Sequence, residues 1–243
     1  MSFERLLFEL SLTWLDITAL VVFMVCWSGY PLLASWRARH HPSLHSTMDR
    51  YRRDWMLRMI ERDNRMVDVN IMRNLTRSSQ FFASTTMLVL GALIALLGYV
   101  QQAMDVVSGL PFTVKASQRL LEIKMLLLVL IFVYAFFKFS WAIRQLGFCS
   151  TLIGAAPKMP RENPEQYAAE VNRIAAITSY AGTNFNNGLR GYYFALAAMT
   201  WFLHPYLMLI ATAWVVFVLQ HREFASQTLR ALTGSDTSTD ARY

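Results

Sequence analysis

Apolar positions along the chain come in four blocks, each too long and too continuous for strands. Residues 14–36 hold the core ITALVVFMVCW between Trp14 on one side and Tyr30 and Trp36 on the other. Aromatic side chains of this kind settle at the two faces of a bilayer. Residues 81–99 contain no charged side chain, and residues 120–146 run through EIKMLLLVLIFVYAFFKFSWAIRQ. Residues 192–219 form the last block, with His204-Pro205 in its middle. A helix needs roughly 20 apolar residues to cross a bilayer, so each block suffices, and the third is tilted or projects beyond the lipid. The predicted fold class is all-α: a polytopic membrane protein with four transmembrane helices and long cytoplasmic helical extensions. One membrane domain covers 1–232, and 233–243 is a disordered polar tail.

The segments between the blocks show a different pattern. Residues 50–80 are studded with arginine and contain neither Pro nor Gly, and they run straight into the uncharged block at Phe81. This predicts one long helix from about Thr47 to Gly98, opened by Ser46 and Asp49 as a capping box. Tyr51, Trp55, Met59 and Met66 lie on one face of it, and Met56, Ile60, Val67 and Ile71 on an adjoining one, which suggests more than one packing partner. Asp54–Arg58 and Glu61–Arg65 have the spacing of favourable helical ion pairs. Gly91, Ala95 and Gly98 form a small-residue side suited to close helix approach. Gly29-Tyr30-Pro31 is expected to kink the exit of the first span. Residues 100–119, with Gly109-Leu110-Pro111, form a loop with a short interfacial helix, and 147–163 form a second loop. Asn163-Pro164-Glu165 then reads as a helix start. The helix that follows shows Tyr167, Val171, Ile174, Thr178, Ala181 and Phe185 on one face, which should pack on the basic half of the long helix. It is expected to bend at the segment from Asn184 to Gly191.

Composition agrees with a membrane protein: 55% of the 243 residues are hydrophobic and the mean hydropathy is +0.30. The two cysteines, Cys26 and Cys149, have no metal-type spacing, and the N-terminus lacks the pattern of a cleavable signal. The formal charge is +7. Ten Lys/Arg lie in 37–80 and four in 147–191, against one in the N-terminal tail, two in 100–119 and three in the C-terminal tail. The positive-inside rule therefore puts both basic segments in the cytoplasm and both termini outside. The localisation expected is a bacterial inner membrane, multi-pass, with both termini periplasmic.

Three stretches resemble a bacterial membrane-protein family known as domain-of-unknown-function family 599. They are Asn70-Ile71-Met72-Arg73-Asn74 in the basic segment, Gly188-Leu189-Arg190-Gly191-Tyr192-Tyr193-Phe194-Ala195 leading to Trp201-Phe202 and Pro205, and the closing His221-Arg222-Glu223-Phe224. The resemblance covers about residues 10–232. It implies a multi-pass inner-membrane protein and brings no activity, cofactor or catalytic residue.

Ionisable side chains inside a span point to function or to a buried partner. Lys138 lies about 9 Å deeper than Arg144 at 1.5 Å per residue, a depth from which a lysine also snorkels. Tyr134, Lys138, Trp141 and Gln145 make one polar stripe. His204 falls near the middle of the last block, where it could sense pH or simply bond to a neighbouring helix. Pro205 there frees the carbonyl of Trp201, which needs another partner. Asn184, Asn187 and Arg190 cluster at the mouth of that block, as a polar constriction or as caps of a helix break. Arg52, Arg53, Arg58, Arg62, Arg65, Arg73 and Arg77 give a basic cytoplasmic face, an electropositive vestibule or a simple topology signal that meets anionic lipid. His40, His41 and His45 lack acids or cysteines at ligand spacing, so no metal is expected, nor a cofactor. Interleaved acids and the lack of a recognised fold argue against nucleic acid.

No phosphate loop, nucleophile elbow, zinc motif or CxxC is present, so no enzyme is expected. The sequence suggests a homo-oligomeric channel or pore for a small ion, anions slightly favoured, lined by Lys138, His204, Tyr134, Asn184, Asn187 and Arg190. The alternative is an accessory or scaffold subunit that binds a membrane-protein partner through the basic helix. A transporter is disfavoured because no inverted repeat is visible.

Overall fold

The structure is a computed structural model that describes residues 13–101, 117–157 and 164–234. Helix α1 spans Trp14–Ala38, α2 Leu44–Glu61, α3 Met66–Gly98, α4 Gln118–Ala155, α5 Pro164–Met199, α6 Pro205–Phe224 and α7 Gln227–Thr233, with a 3-10 turn at Thr200–Phe202. The described residues contain no strand. Four stretches are long and apolar enough to cross a membrane: α1, α3, α4 and Pro205–Thr233. The protein is an all-α, multi-pass membrane protein. The short helix expected within 100–119, most of the 147–163 loop's second half and the polar tail lie outside the described residues.

The chain forms two units. The first gathers described residues of Met1–Trp36, Thr85–Phe136 and Leu189–Leu219. Its core joins Phe23, Ile131, Phe194, Trp201 and Met208. Phe23 meets Phe194 edge-on at 5.7 Å between centroids, Trp27 meets Tyr134 at 5.4 Å, and Phe132 meets Tyr192 at 5.3 Å. The Tyr192 and Thr86 hydroxyls share a hydrogen bond of 3.0 Å. Lipid tails are as apolar as these side chains, so such a unit is held by close packing and hydrogen bonds more than by exclusion of water.

The second unit gathers Arg37–Ser84, Phe137–Gly188 and the described residues of Gln220–Tyr243. Its core takes Met56, Met59 and Ile60 from α2, Met72 from α3, Cys149 and Ile153 from α4, and Val171, Ile174 and Ala181 from α5. The expected packing of the Val171–Ile174–Ala181 face on the basic segment is therefore present. Phe82, Phe139 and Phe185 pack as a trio with centroids 5.4–5.6 Å apart.

Several expectations need correction. The long helix is two helices, α2 and α3, separated at Arg62 to Arg65. No Pro or Gly marks the break; side chains hold it. Arg62 leaves the helix with extended backbone, Asn64 Oδ1 accepts the Met66 N–H at 2.9 Å, and Arg62 and Arg65 are drawn to partners described below. Across Phe81, by contrast, α3 is continuous. The capping box is Ser43 with Ser46, not Ser46 with Asp49, and α2 opens at Leu44. Helix α1 runs unbroken through Pro31. Helix α4 continues to Ala155, where a loop was expected from Gly147, because Cys149 and Ile153 are fully buried in the second unit. The block 192–219 is not one helix. Helix α5 carries on to Met199 without a break at Asn184–Gly191, and the chain turns at 200–204 before α6 starts at Pro205. The proline stands at the first position of a new helix, where its missing N–H costs nothing.

The C-terminal segment packs on α2. The His45 backbone N–H donates to Glu223 at 3.2 Å, the Tyr51 hydroxyl donates to the Leu232 carbonyl at 3.2 Å, and Arg37 lies 5.0 Å over the Phe224 ring. Within the second unit, residues 220–234 thus pack beside residues 37–61.

Candidate functional site

Among the candidate polar residues, α4 and α5 bring two groups together. In the second unit the Lys138 ammonium donates to Asn184 Oδ1 at 3.2 Å. The same amide donates through Nδ2 to Gln145 Oε1 at 2.9 Å and to the Tyr180 carbonyl at 3.0 Å. Lys138 and Asn184 are half-buried and Gln145 is buried. The relay fixes Asn184 in one orientation, since its oxygen faces a donor and its nitrogen faces acceptors. Trp141, also in the expected stripe, is 51% exposed.

In the first unit the Arg190 guanidinium lies 5.1 Å over the Tyr30 ring, and Tyr134 lies on neighbouring α4. Tyr134 in turn meets Trp27 edge-on. A guanidinium over an aromatic face is stabilised by the ring quadrupole, the more so away from water. Gly191 allows this part of α5 to lie against Ala135, whose Cβ is 3.4 Å from where a side chain at 191 would begin. Gly188 is tighter, because a Cβ there would come within 2.6 Å of the Phe139 ring. The glycines of Gly188-Leu189-Arg190-Gly191 therefore serve close helix contact, not a bend. Asn187 is half-buried on the same helix.

His204 is not at the centre of a span. It sits in the turn between α5 and α6, where its Nδ1 accepts the Tyr206 N–H at 3.2 Å and its ring stacks on Tyr206 at 5.2 Å. The adjoining Trp201 belongs to a buried cluster that the sequence did not reveal. Its indole N–H donates to Asp16 Oδ1 at 2.8 Å, and its carbonyl accepts from Lys124 Nζ at 2.8 Å. Lys124 is thus the partner that this carbonyl was expected to need. Asp16 is 3% exposed and Lys124 is 5% exposed. Thr13 completes the carboxylate's shell with its hydroxyl at 2.5 Å and its N–H at 3.1 Å. Opposite charges at residues 16 and 124 with a Trp between them could have been sought, but nothing in local spacing links them.

The basic face divides into structural and exposed arginines. Arg65 reaches the C-terminal end of α4 and donates to the carbonyls of Ile153, Ala156 and Pro157 at 2.7, 2.6 and 3.1 Å. A cation at the negative end of a helix with carbonyls lacking intrahelical partners is a favourable cap. Arg62 donates to Asp68 Oδ1 at 2.8 Å, and the Trp55 indole donates to the same oxygen at 2.7 Å. Arg52 pairs with Asp49 at 2.7 Å, and Arg73 bonds to Asn70. Arg53, Arg58 and Arg77 are exposed. Of the three histidines near the start of α2, His45 bonds through Nε2 to Thr183 at 2.9 Å and lies 3.7 Å from Asp49. Among the described residues no group of His, Cys, Asp and Glu could hold a metal ion.

A family model described as a protein of unknown function, DUF599, matches residues 18–228. No curated protein and no solved structure matches the chain.

Proposed function

The chain belongs to the DUF599 family of proteins of unknown function, and we propose from its geometry that it is the subunit of a membrane channel for small ions, anions favoured, with α5 as the helix along the path. The observation that carries this reading is the position of Arg190. Midway along α5, Thr183 bonds to His45 on α2. The helix ends at Met199, and in the turn just beyond it Trp201 bonds to Asp16 in the first turn of α1. Helix α1 leads from Asp16 to Arg37, just ahead of α2, and on this reading α5 runs in the opposite sense. It is then a fifth crossing, and α6 returns from Pro205 to Phe224, which meets Arg37. The inner membrane fits the positive-inside pattern: the N-terminus lies outside, and the C-terminal tail joins the basic segments inside. The tail's three basic residues then add to the charge asymmetry.

Arg190 precedes Trp201 by eleven residues, about 16 Å along a helix. That is about half of a hydrocarbon core of roughly 30 Å. A guanidinium at that depth, with Asn187 and Asn184 one and two turns below it, is costly in lipid and is retained where it faces a polar path or a partner. Donor-rich side chains on that path favour anions. Lys138 and Tyr134 on α4 remain in this reading, and His204 leaves it. Reconstitution into liposomes tests it: chloride flux should exceed potassium flux, and Arg190→Gln should lower the ratio. Equal leak of both ions, or none, argues against a channel.

A second reading, a scaffold subunit, is favoured by the arginine-bearing half of α3. Met66, Val67, Ile71 and Leu75 there are 38–64% exposed, and on α3 Gly91 and Gly98 have nothing within 4 Å of a built Cβ. Such faces are covered in an assembly, either by further copies of the chain or by another membrane protein.

A further inference from the structure

The second unit contains a cavity of about 420 Å³ that none of the polar groups above explains. Its volume is in the range of sites for small organic ligands. Four helices wall it, α4 through Leu146. Trp55 and Arg52 come from α2, Leu75 and Ser79 from α3, and Phe185 and Asn186 from α5. The wall is largely apolar, and Arg52 is the one charged residue lining it.

Arg52 is held for this position. Its Nη1 bonds to Asp49 at 2.7 Å, and its Nη2 lies where a side chain at Gly182 would begin, 2.7 Å from the built Cβ. Glycine at 182 therefore lets the guanidinium lie flat against α5. A guanidinium carries five N–H donors in a fixed fork, so one carboxylate contact leaves donors for a second acceptor. Asp49 offsets the guanidinium's charge but does not use up those donors. The cavity's hydroxyls offer less competition as donors, because Ser79 is already bonded to the Leu75 carbonyl and Tyr51 to Leu232. The site thus presents donors to an anionic head and an apolar wall to its tail.

The cavity also lies at a defined place along the chain. Its α3 wall ends at Ser79, two residues before Phe81, where the uncharged run begins. Its α4 contribution, Leu146, follows Arg144 by two residues. On α3 the sequence passes there from charged to uncharged, which is the level of lipid headgroups.

We infer that this cavity binds one anionic phospholipid of the cytoplasmic leaflet, with an acyl chain against Trp55, Leu75 and Phe185 and its phosphate on Arg52. The inference rests on the orientation proposed above for the choice of leaflet, but not on ion flux. The test is native mass spectrometry of the full chain released from nanodiscs containing equal phosphatidylglycerol and phosphatidylcholine. One phosphatidylglycerol per chain is expected to be retained in preference to phosphatidylcholine. Arg52→Gln should reduce that retention about tenfold, the scale of a lost charge-assisted hydrogen bond. Leu75→Trp, which fills the cavity from an accessible position, should reduce it as well, and the exposed Arg53→Gln should not. Equal retention of the two lipids overturns the inference. So does an equal loss from Arg53→Gln and Arg52→Gln, which would mean diffuse surface charge. Displacement of the lipid by added oleate at equimolar amounts overturns it in favour of a free fatty acid. Flux that persists in Arg52→Gln while lipid retention falls separates this site from the ion path.

Discussion

Arginines that look alike in the sequence have different roles in the fold. Arg53 and Arg62 both belong to the basic segment, yet Arg53 is exposed and Arg62 compensates a carboxylate that is fully buried. Removing Arg62 leaves Asp68 with the Trp55 indole as its hydrogen-bonded neighbour, and a buried charge that loses its partner is destabilising. The Arg62 side chain is 40% exposed, so water screens part of the pair and moderates the effect. Arg62→Ala should cost about 2 kcal/mol and Arg53→Ala less than about 0.5 kcal/mol. Arg65→Ala should also cost about 2 kcal/mol, because it strips the cap from the last carbonyls of α4. Thermal unfolding of the purified variants in one detergent checks the ranking. None of these partners could be read from the sequence. Arg65 reaches residues 153–157, and spacing within the segment suggested Glu61 instead.

At the scale of the element, apolar blocks were legible and their ends were not. The first span was expected at 14–36 and α1 covers Trp14–Ala38, because aromatic residues mark both ends of an uninterrupted apolar core. Breaks without Pro or Gly were hidden: the turn at Arg62–Arg65 is held by tertiary contacts, which outweigh local helix propensity. The reverse error was made with glycine. Gly188 and Gly191 suggested a bend in α5, while the helix is continuous and the glycines let it approach α4. The two positions should differ in tolerance. Gly188→Ala drives a methyl into Phe139, which is stacked on Phe82 and cannot swing away freely, and should cost about 2 kcal/mol. Gly191→Ala meets Ala135 at ordinary contact distance and should be nearly neutral. A shift in unfolding midpoint for the first variant but not the second would show that packing, not backbone freedom, explains these glycines; equal shifts would argue against it.

For the whole molecule, hydropathy identifies four crossing stretches and passes over α5. That helix carries Asn184, Asn186, Asn187 and Arg190 within seven positions, so its apolar content is diluted where a crossing would need it. The proposed fifth crossing draws instead on two tertiary bonds, Thr183 of α5 to His45 and, in the turn after α5, Trp201 to Asp16. The candidate site was legible in part for the same reason. Lys138 and Asn184 were both singled out, and their hydrogen bond depends on helix packing that no motif encodes. His204 was misplaced because the turn at 200–204 was taken for the middle of a span. Exposed apolar residues on α3 lead to a further expectation: in nanodiscs the chain should elute as an oligomer, and Ile71→Glu should shift it toward monomer by light scattering.

The claim on which the proposed path depends is that α5 crosses the bilayer, so that Arg190 stands inside it and the C-terminus lies in the cytoplasm. Fusing the C-terminus to two reporters in a bacterial host tests this most directly, one reporter active in the cytoplasm alone and the other active outside alone. Five crossings predict activity from the cytoplasmic reporter with an N-terminus outside. Activity from the external reporter would contradict a fifth crossing, and would remove Arg190 from the membrane and with it the path.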